Sequence, residues 1–261
     1  MIISHKHKFI FIHVHRTAGT SIANSLLNFL GESDEIYGYT KQFEKTSETN
    51  RQKNIQENSD EQGKNLWKHS NPKYIKQKIG AKKWNEYFKF AVVRNPLDIH
   101  FSNYHYLRNE ELQESCSEDI LPKVQGAKKL IFSEFMTSDS SWQYTLCDFC
   151  TSLPYKNTQK SPYKDGEGIS NFNTDLDFIM KYERLKIDFA YFCGVIGLPR
   201  LSLNWLNKSR NLENRKLAFD EIHKNDKSLN FLAKRHGYDY NYFGYKTKFN
   251  EHEAKHNSYN W

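Results

Sequence analysis

The sequence predicts an α/β fold with a central, mainly parallel sheet flanked by helices. Two apolar, β-branched runs, Phe9 to Val14 and Phe90 to Val93, read as strands buried on both faces. Each is followed by a short polar loop and then by helical spacing of apolar residues. Strands therefore alternate with helices, and no internal repeat interrupts the alternation.

After the first strand, His15 to Thr20 reads as a loop. A helix follows, with Thr20 or Ser21 as cap, Ile22, Ala23, Leu26, Leu27 and Leu30 on its apolar face, and Gly31 as its stop. Residues 38–65 change character. Only Tyr39, Phe43 and Ile55 are apolar among 28 residues, with five acidic and five basic side chains, so the segment reads as a polar insertion or flap. Lys73 to Phe88 reads as a helix feeding the second strand. Asn95-Pro96 then turns the chain into a helix marked by Leu97, Phe101, Tyr104 and Leu107. Helices are expected over Ile131 to Met136, Trp142 to Cys150, Ile187 to Ile196 and Leu217 to His236, the last stopped by Gly237. A third strand is expected over Leu176 to Tyr182, and loop over Tyr155 to Asn173.

Composition narrows the classes. The chain has 261 residues, 38% of them hydrophobic, enough for one large domain over 1–261 or two small ones, with the polar insertion at about 38–65. Mean hydropathy is −0.83, and no apolar run reaches the roughly 18 residues of a membrane helix. Met1 to Phe11 lacks the pattern of a signal peptide, so the expectation is a soluble, cytoplasmic protein with no integral membrane segment. The net charge of +7 suits an anionic ligand, while no nucleic-acid-binding module is present. Four cysteines do not make a disulfide scaffold. Cys147 and Cys150 form a lone CxxC with no second pair, so it reads as helix-face packing and no metal site is expected.

Two blocks carry the chemistry. In the first, the loop from Arg16 to Ser21 joins a parallel strand to a helix N-terminus, where free N–H groups and the helix dipole suit a phosphate or sulfate. Ala18 and Gly19 are small, Thr17, Thr20 and Ser21 bring hydroxyls, and Arg16 brings a planar cation. This is P-loop-like in physics, although GxxxxGK[ST] is absent. A plain capped turn with an exposed arginine is the competing reading. In the second block, Arg94 ends a buried strand, where ligands bind in open α/β sheets, and Ser102 lies eight residues on. Arg94 equally suits an ion pair with Asp98.

Together the blocks resemble the nucleotide-binding elements of carbohydrate-type, family 2-like sulfotransferases. In those enzymes P-K-T-A-G-T-S holds the 5′-phosphosulfate of 3′-phosphoadenosine 5′-phosphosulfate (PAPS), and V-R-N-P-x-D-R-x-x-S-x-Y holds the 3′-phosphate. The likeness extends through Trp67 to Ser70, Trp84 to Phe90, Trp142-Gln143, Tyr182 to Leu185, Ile196 to Pro199 and Phe243 to Tyr245. It implies a three-layer, P-loop-like fold and transfer of a sulfuryl group from PAPS to a hydroxyl acceptor, a carbohydrate or glycan, by in-line displacement without a metal. Carried over by position, Arg16, Thr17, Ala18, Gly19, Thr20 and Ser21 hold the phosphosulfate, Arg94 and Ser102 hold the 3′-phosphate, and His69 is the catalytic base beside Arg16. The basic stretch Lys208 to Lys216 borders the nucleotide. The chain departs from the pattern at His15 (family Pro), Arg16 (family Lys) and Ile99 (family Arg). An ATP-dependent phosphotransferase and a non-catalytic nucleotide- or glycan-binding relative are the alternatives.

Overall fold

The computed structural model describes residues 1–38, 55–56, 66–109, 118, 120–138, 141, 145–147, 175–203 and 212–245. The loop expected over 155–173 lies outside these, as do most of the helix expected over 142–150, nearly all of the 38–65 insertion and residues 208–211 of the basic stretch. The described chain forms two compact units. The first comprises Met1–Val93 and Leu146–Asn207, the second Arg94–Thr145 and Lys208–Trp261.

The first unit is an α/β sandwich. Its sheet contains β1 (Ile2–Ser4), β2 (Phe9–Ile12), β3 (Glu35–Tyr37), β4 (Ile55–Gln56), β5 (Phe88–Val93) and β6 (Phe178–Lys181), in the order β4-β3-β1-β2-β5-β6. β2, β5 and β6 run parallel to one another, as do β3 and β4, while β1 is antiparallel to both of its neighbours. Alternation sorts the side chains. Phe9, Phe11, Phe90, Val92, Phe178 and Met180 face a core completed by Ile22, Ala23 and Leu26 of α1 (Gly19–Leu26) and by Phe189, Phe192 and Cys193 of α6 (Leu185–Val195). On the opposite face Lys89 puts its ammonium 5.8 Å from the Trp84 ring of α2 (Pro72–Glu86), which gives the third layer. α2 starts where Asn71 accepts a hydrogen bond from the Lys73 N–H at 2.8 Å, with Pro72 at the first helical position.

One carboxylate ties the sheet's N-terminal edge. Asp34, fully buried, accepts from Ser4 Oγ (2.7 Å) and from the N–H groups of His5 (2.6 Å), Lys6 (2.9 Å) and Gly31 (2.9 Å). Gly31 therefore serves this knot. α1 ends earlier, at Leu26, and tightens into a 3-10 turn over Leu27–Phe29.

The second unit is helical: α3 (Pro96–Leu107), α4 (Leu121–Lys129), α5 (Phe132–Met136), α7 (Leu212–His223) and α8 (Asp226–Phe243). Asn95 caps α3 by accepting from the Leu97 N–H at 3.0 Å, as Asn95-Pro96 predicts. The single helix expected over 217–236 is in fact two. Asn225 caps a new helix by accepting from the Ser228 N–H at 3.1 Å, and Gly237 sits inside α8 beside a kink at His236. The real stop is Gly244, at φ 63°. The kink serves an internal pair: His100 Nε2 and His236 Nε2 lie 2.8 Å apart, both rings about 1% exposed. Asp239 Oδ2 stands 3.9 Å from His236 Nδ1 and accepts from Thr145 Oγ1 at 2.8 Å.

Two outcomes follow for stability. Asp34→Ala strands four donors and should lower unfolding free energy by about 2–4 kcal/mol in a urea titration. Burial, then the neighbouring His236 and Arg235, hold the His100 imidazole well below its ordinary protonation range. The unfolded chain therefore binds more protons than the folded one below about pH 6.5. Stability is full above that pH and is lost on acidification. A melting temperature several degrees lower at pH 5.5 than at 7.5 is expected, and a rise on acidification would contradict it.

Candidate functional site

The site of the first unit grows from the end of β2. Arg16 (φ 59°) and Ala18 (φ 63°) both take the left-handed conformation, rare for residues with a Cβ, and α1 starts directly from Ala18. The expected caps Thr20 and Ser21 both lie within the helix, and the cap position falls on Ala18, which has no capping side chain. N–H groups there have no acceptor within the helix, which is the arrangement an anion uses. The Thr17 hydroxyl donates to the Val14 carbonyl at 2.9 Å, so that side chain closes the loop, and what Thr17 offers outward is main chain.

Gly19 has a different reason from the one the sequence suggests. A Cβ at residue 19 would lie 2.0 Å from both Cδ2 and Nε2 of His13. The space that looked reserved for an anion is filled by a buried imidazole. His13, which sequence reasoning passed over as part of a strand, stacks on Phe11 with centroids 5.6 Å apart. Its only sequence signal is a polar residue inside an apolar run, six positions before a glycine.

The turn Trp67–Ser70 docks on this loop. Ser70 N–H donates to the Trp67 carbonyl at 3.1 Å, and Trp67 N–H donates to Ser70 Oγ at 2.7 Å. His69 Nδ1 lies 2.8 Å from the His13 carbonyl oxygen. A carbonyl can only accept, so Nδ1 carries the hydrogen and Nε2 keeps its lone pair, the tautomer a general base requires. The His69 ring stacks on His15 at 3.5 Å and 20°. Burial first, then the charge of His15, keep His69 neutral well below its ordinary range, against the raising effect of its bond to His13. His13 is held neutral by burial and then by His69. Lys68 sits at the same turn. Burial, and then the Arg16 guanidinium, pull its ammonium down to about 8. Thus Arg16 to Ser21 and His69 come together, joined by His13, His15 and Lys68.

Arg94 and Ser102 belong to the second unit, both buried. Arg94 Nε donates to Asp98 Oδ2 at 2.7 Å, and Arg215 Nη2 of α7 lies 2.9 Å from Asp98 Oδ1. The ion-pair reading of Arg94 is thus correct as far as it goes. Burial works to raise the Asp98 carboxyl, but the two guanidiniums outweigh it and hold it ionised. Ser102 follows Asp98 by one helical turn on the same face of α3. Ile99, where a second arginine was expected, is core. Cys147 and Cys193 are buried and in no disulfide among the described residues, while Cys116 and Cys150 are outside the described residues. No helix among the described residues is long and apolar enough to cross a membrane.

A model described as the sulfotransferase family matches residues 1–246, and the chain belongs to that family. It is accordingly a transferase of sulfuryl groups, with the mixed α/β architecture that goes with that activity. Neither a curated protein nor a solved structure matches it.

Gly19→Ala puts a methyl group into His13. It should cost about 1–3 kcal/mol in chemical denaturation, and it should weaken anion binding at the loop more than Gly31→Ala does.

Proposed function

We propose that this sulfotransferase uses PAPS and transfers its sulfuryl group in line to a hydroxyl of a carbohydrate or glycan. The observation that supports this best is the uncapped start of α1, with Arg16 and the neutral, Nε2-accepting His69 beside it. PAPS supplies an activated sulfuryl group and a leaving phosphate. In this reading the N–H groups of Ala18 to Ser21 hold the 5′-phosphosulfate and Arg16 balances charge on the departing oxygen. Arg16 stays protonated, so it acts by charge and hydrogen bonds and not as an acid. His69 Nε2 takes the acceptor's proton. Arg94 and Ser102 hold the 3′-phosphate, and Arg215 brings the second guanidinium that Ile99 does not. Sulfuryl transfer, like phosphoryl transfer, asks the protein mainly for positioning and charge stabilisation. The cytoplasmic location and one catalytic domain over 1–261 belong to the same proposal.

Thermal unfolding with the product adenosine 3′,5′-bisphosphate (PAP), ADP and ATP at matched concentrations tests the nucleotide. PAP alone should raise the melting temperature, by several degrees at 100 times its Kd. Equal shifts with all three would favour an ATP-dependent phosphotransferase. With PAPS and a panel of glycan acceptors, Arg16→Ala should lower kcat about 10²–10³-fold. His69→Ala should lower it about 10²–10⁴-fold while PAP affinity holds. PAP binding without turnover of any acceptor would mark a non-catalytic relative.

A further inference from the structure

Two tryptophans of the first unit stand in opposite conditions. Trp84 of α2 is 1% exposed, and its indole N–H donates to Asp175 Oδ2 at 3.2 Å. Packing accounts for it, since a buried indole N–H takes a partner. Trp67 is 39% exposed, and its indole N–H meets no acceptor among the described residues. Neither burial nor a side-chain hydrogen bond accounts for this ring. The main chain beneath it is nonetheless fixed. Trp67 N–H donates to Ser70 Oγ, and the Trp67 carbonyl accepts from the Ser70 N–H. The indole stands beside the candidate base, its centroid 5.3 Å from that of His69 and the two rings inclined at 78°. The His15 ring, stacked on His69, lies 6.3 Å from Trp67. A large aromatic surface is thus held against His69 and left open to solvent elsewhere.

We propose that Trp67 is a specificity-determining residue, the platform on which a sugar ring of the acceptor stacks while one of its hydroxyls meets His69. This rests on the reading above of His69 as the base and of the acceptor as a carbohydrate. An indole offers a flat apolar face and one N–H donor at its rim. A pyranose uses both, because it is apolar across its C–H face and carries hydroxyls around its edge. A phenol could stack as well. Its single hydroxyl is the one that must reach His69, so the indole N–H would go unused. The separation of indole and imidazole is about the breadth of one pyranose, so a sugar on Trp67 brings a rim hydroxyl to His69. Trp67 moves neither the proton nor the sulfuryl group. It holds the acceptor in register, and its loss falls on acceptor binding.

Kinetics and a spectroscopic probe on the full chain test this. The acceptors are cellotetraose, chitotetraose and hyaluronan tetrasaccharide, with 2-naphthol as the aromatic alternative. With PAPS and the tetrasaccharide that turns over best, Trp67→Ala should raise the acceptor KM about 10-fold or more. Its kcat at saturation and its PAP affinity should stay within about threefold of wild type. Trp67→Phe, which keeps a ring and loses the N–H, should fall between the two. In protein labelled with 5-fluorotryptophan, the Trp67 19F resonance, assigned from Trp67→Phe, should move when that tetrasaccharide is added to the PAP complex. A resonance that none of the three tetrasaccharides moves, or an acceptor KM unchanged in Trp67→Ala, would overturn the assignment. So would a loss of kcat and PAP affinity at constant acceptor KM, which marks a structural role, or turnover of 2-naphthol and of no tetrasaccharide. A rise in melting temperature with PAP in the same protein would leave the PAPS reading standing in each case. Failure of PAP to bind at all would bring down both.

Discussion

The site of the first unit depends on one contact, the His13 imidazole lying where residue 19 would carry a side chain. Because residue 19 is glycine, the end of β2 and the start of α1 close directly on each other. That closeness forces the loop between them through two left-handed residues, Arg16 and Ala18, at a cost of about 1–2 kcal/mol each. The core outweighs the strain. Ile22, Leu26 and Leu27 are almost wholly buried against the sheet, and each such side chain contributes about 1.5–3 kcal/mol. Packing of α1 thus fixes where the helix begins, and the loop takes the conformation that remains. The His13 carbonyl then orients His69, so one residue sets both the start of α1 and the tautomer of the candidate base.

Burial sorts the charges around this loop. Imidazoles titrate close to neutrality, so modest desolvation suffices to keep His13 and His69 neutral. Arginine cannot be neutralised in the same way, and Lys68 falls between the two. The result is a graded set: two neutral rings, one permanent cation and one cation close to its titration point. Neutral rings beside Arg16 avoid further repulsion and leave a lone pair for proton transfer. The same desolvation makes the fold acid-sensitive, because His100 in the second unit is buried neutral by the same effect.

Much of this was legible in the sequence where the signal is local. β2, β5 and β6 are continuous apolar runs, and Asn95-Pro96 is a cap-and-start dipeptide whose meaning needs no tertiary context. What escaped depends on residues far apart in the chain. β1 and β3 are three residues each, too short for a period to show. Asp34 reads as a loop acid until its donors from Ser4, His5, Lys6 and Gly31 are assembled around it. Thr20 and Ser21 rank high as caps by residue type, yet the packing of His13 on Gly19 moves the helix start to Ala18, which has no capping side chain. At 225, a cap-forming asparagine was overlooked in favour of a more conspicuous glycine at 237, although α8 runs on through Gly237 to bury Tyr240 and Phe243.

The second unit shows how a departure from a family pattern can be misread when position alone is compared. Ile99 takes the place of an arginine and is packed in the core, so it contributes nothing polar. Yet Asp98 beside it holds two guanidiniums, one from Arg94 at the start of the same helix and one from Arg215 on α7. A buried carboxylate between two arginines is not chiefly a source of stability, since desolvation offsets most of the attraction. Its clearer effect is geometric: it fixes two planar donor forks beside the turn of α3 that carries Ser102. The pair of cations expected from two positions of one motif, 94 and 99, is here assembled from the turn before α3 and from α7, and only folding brings it together.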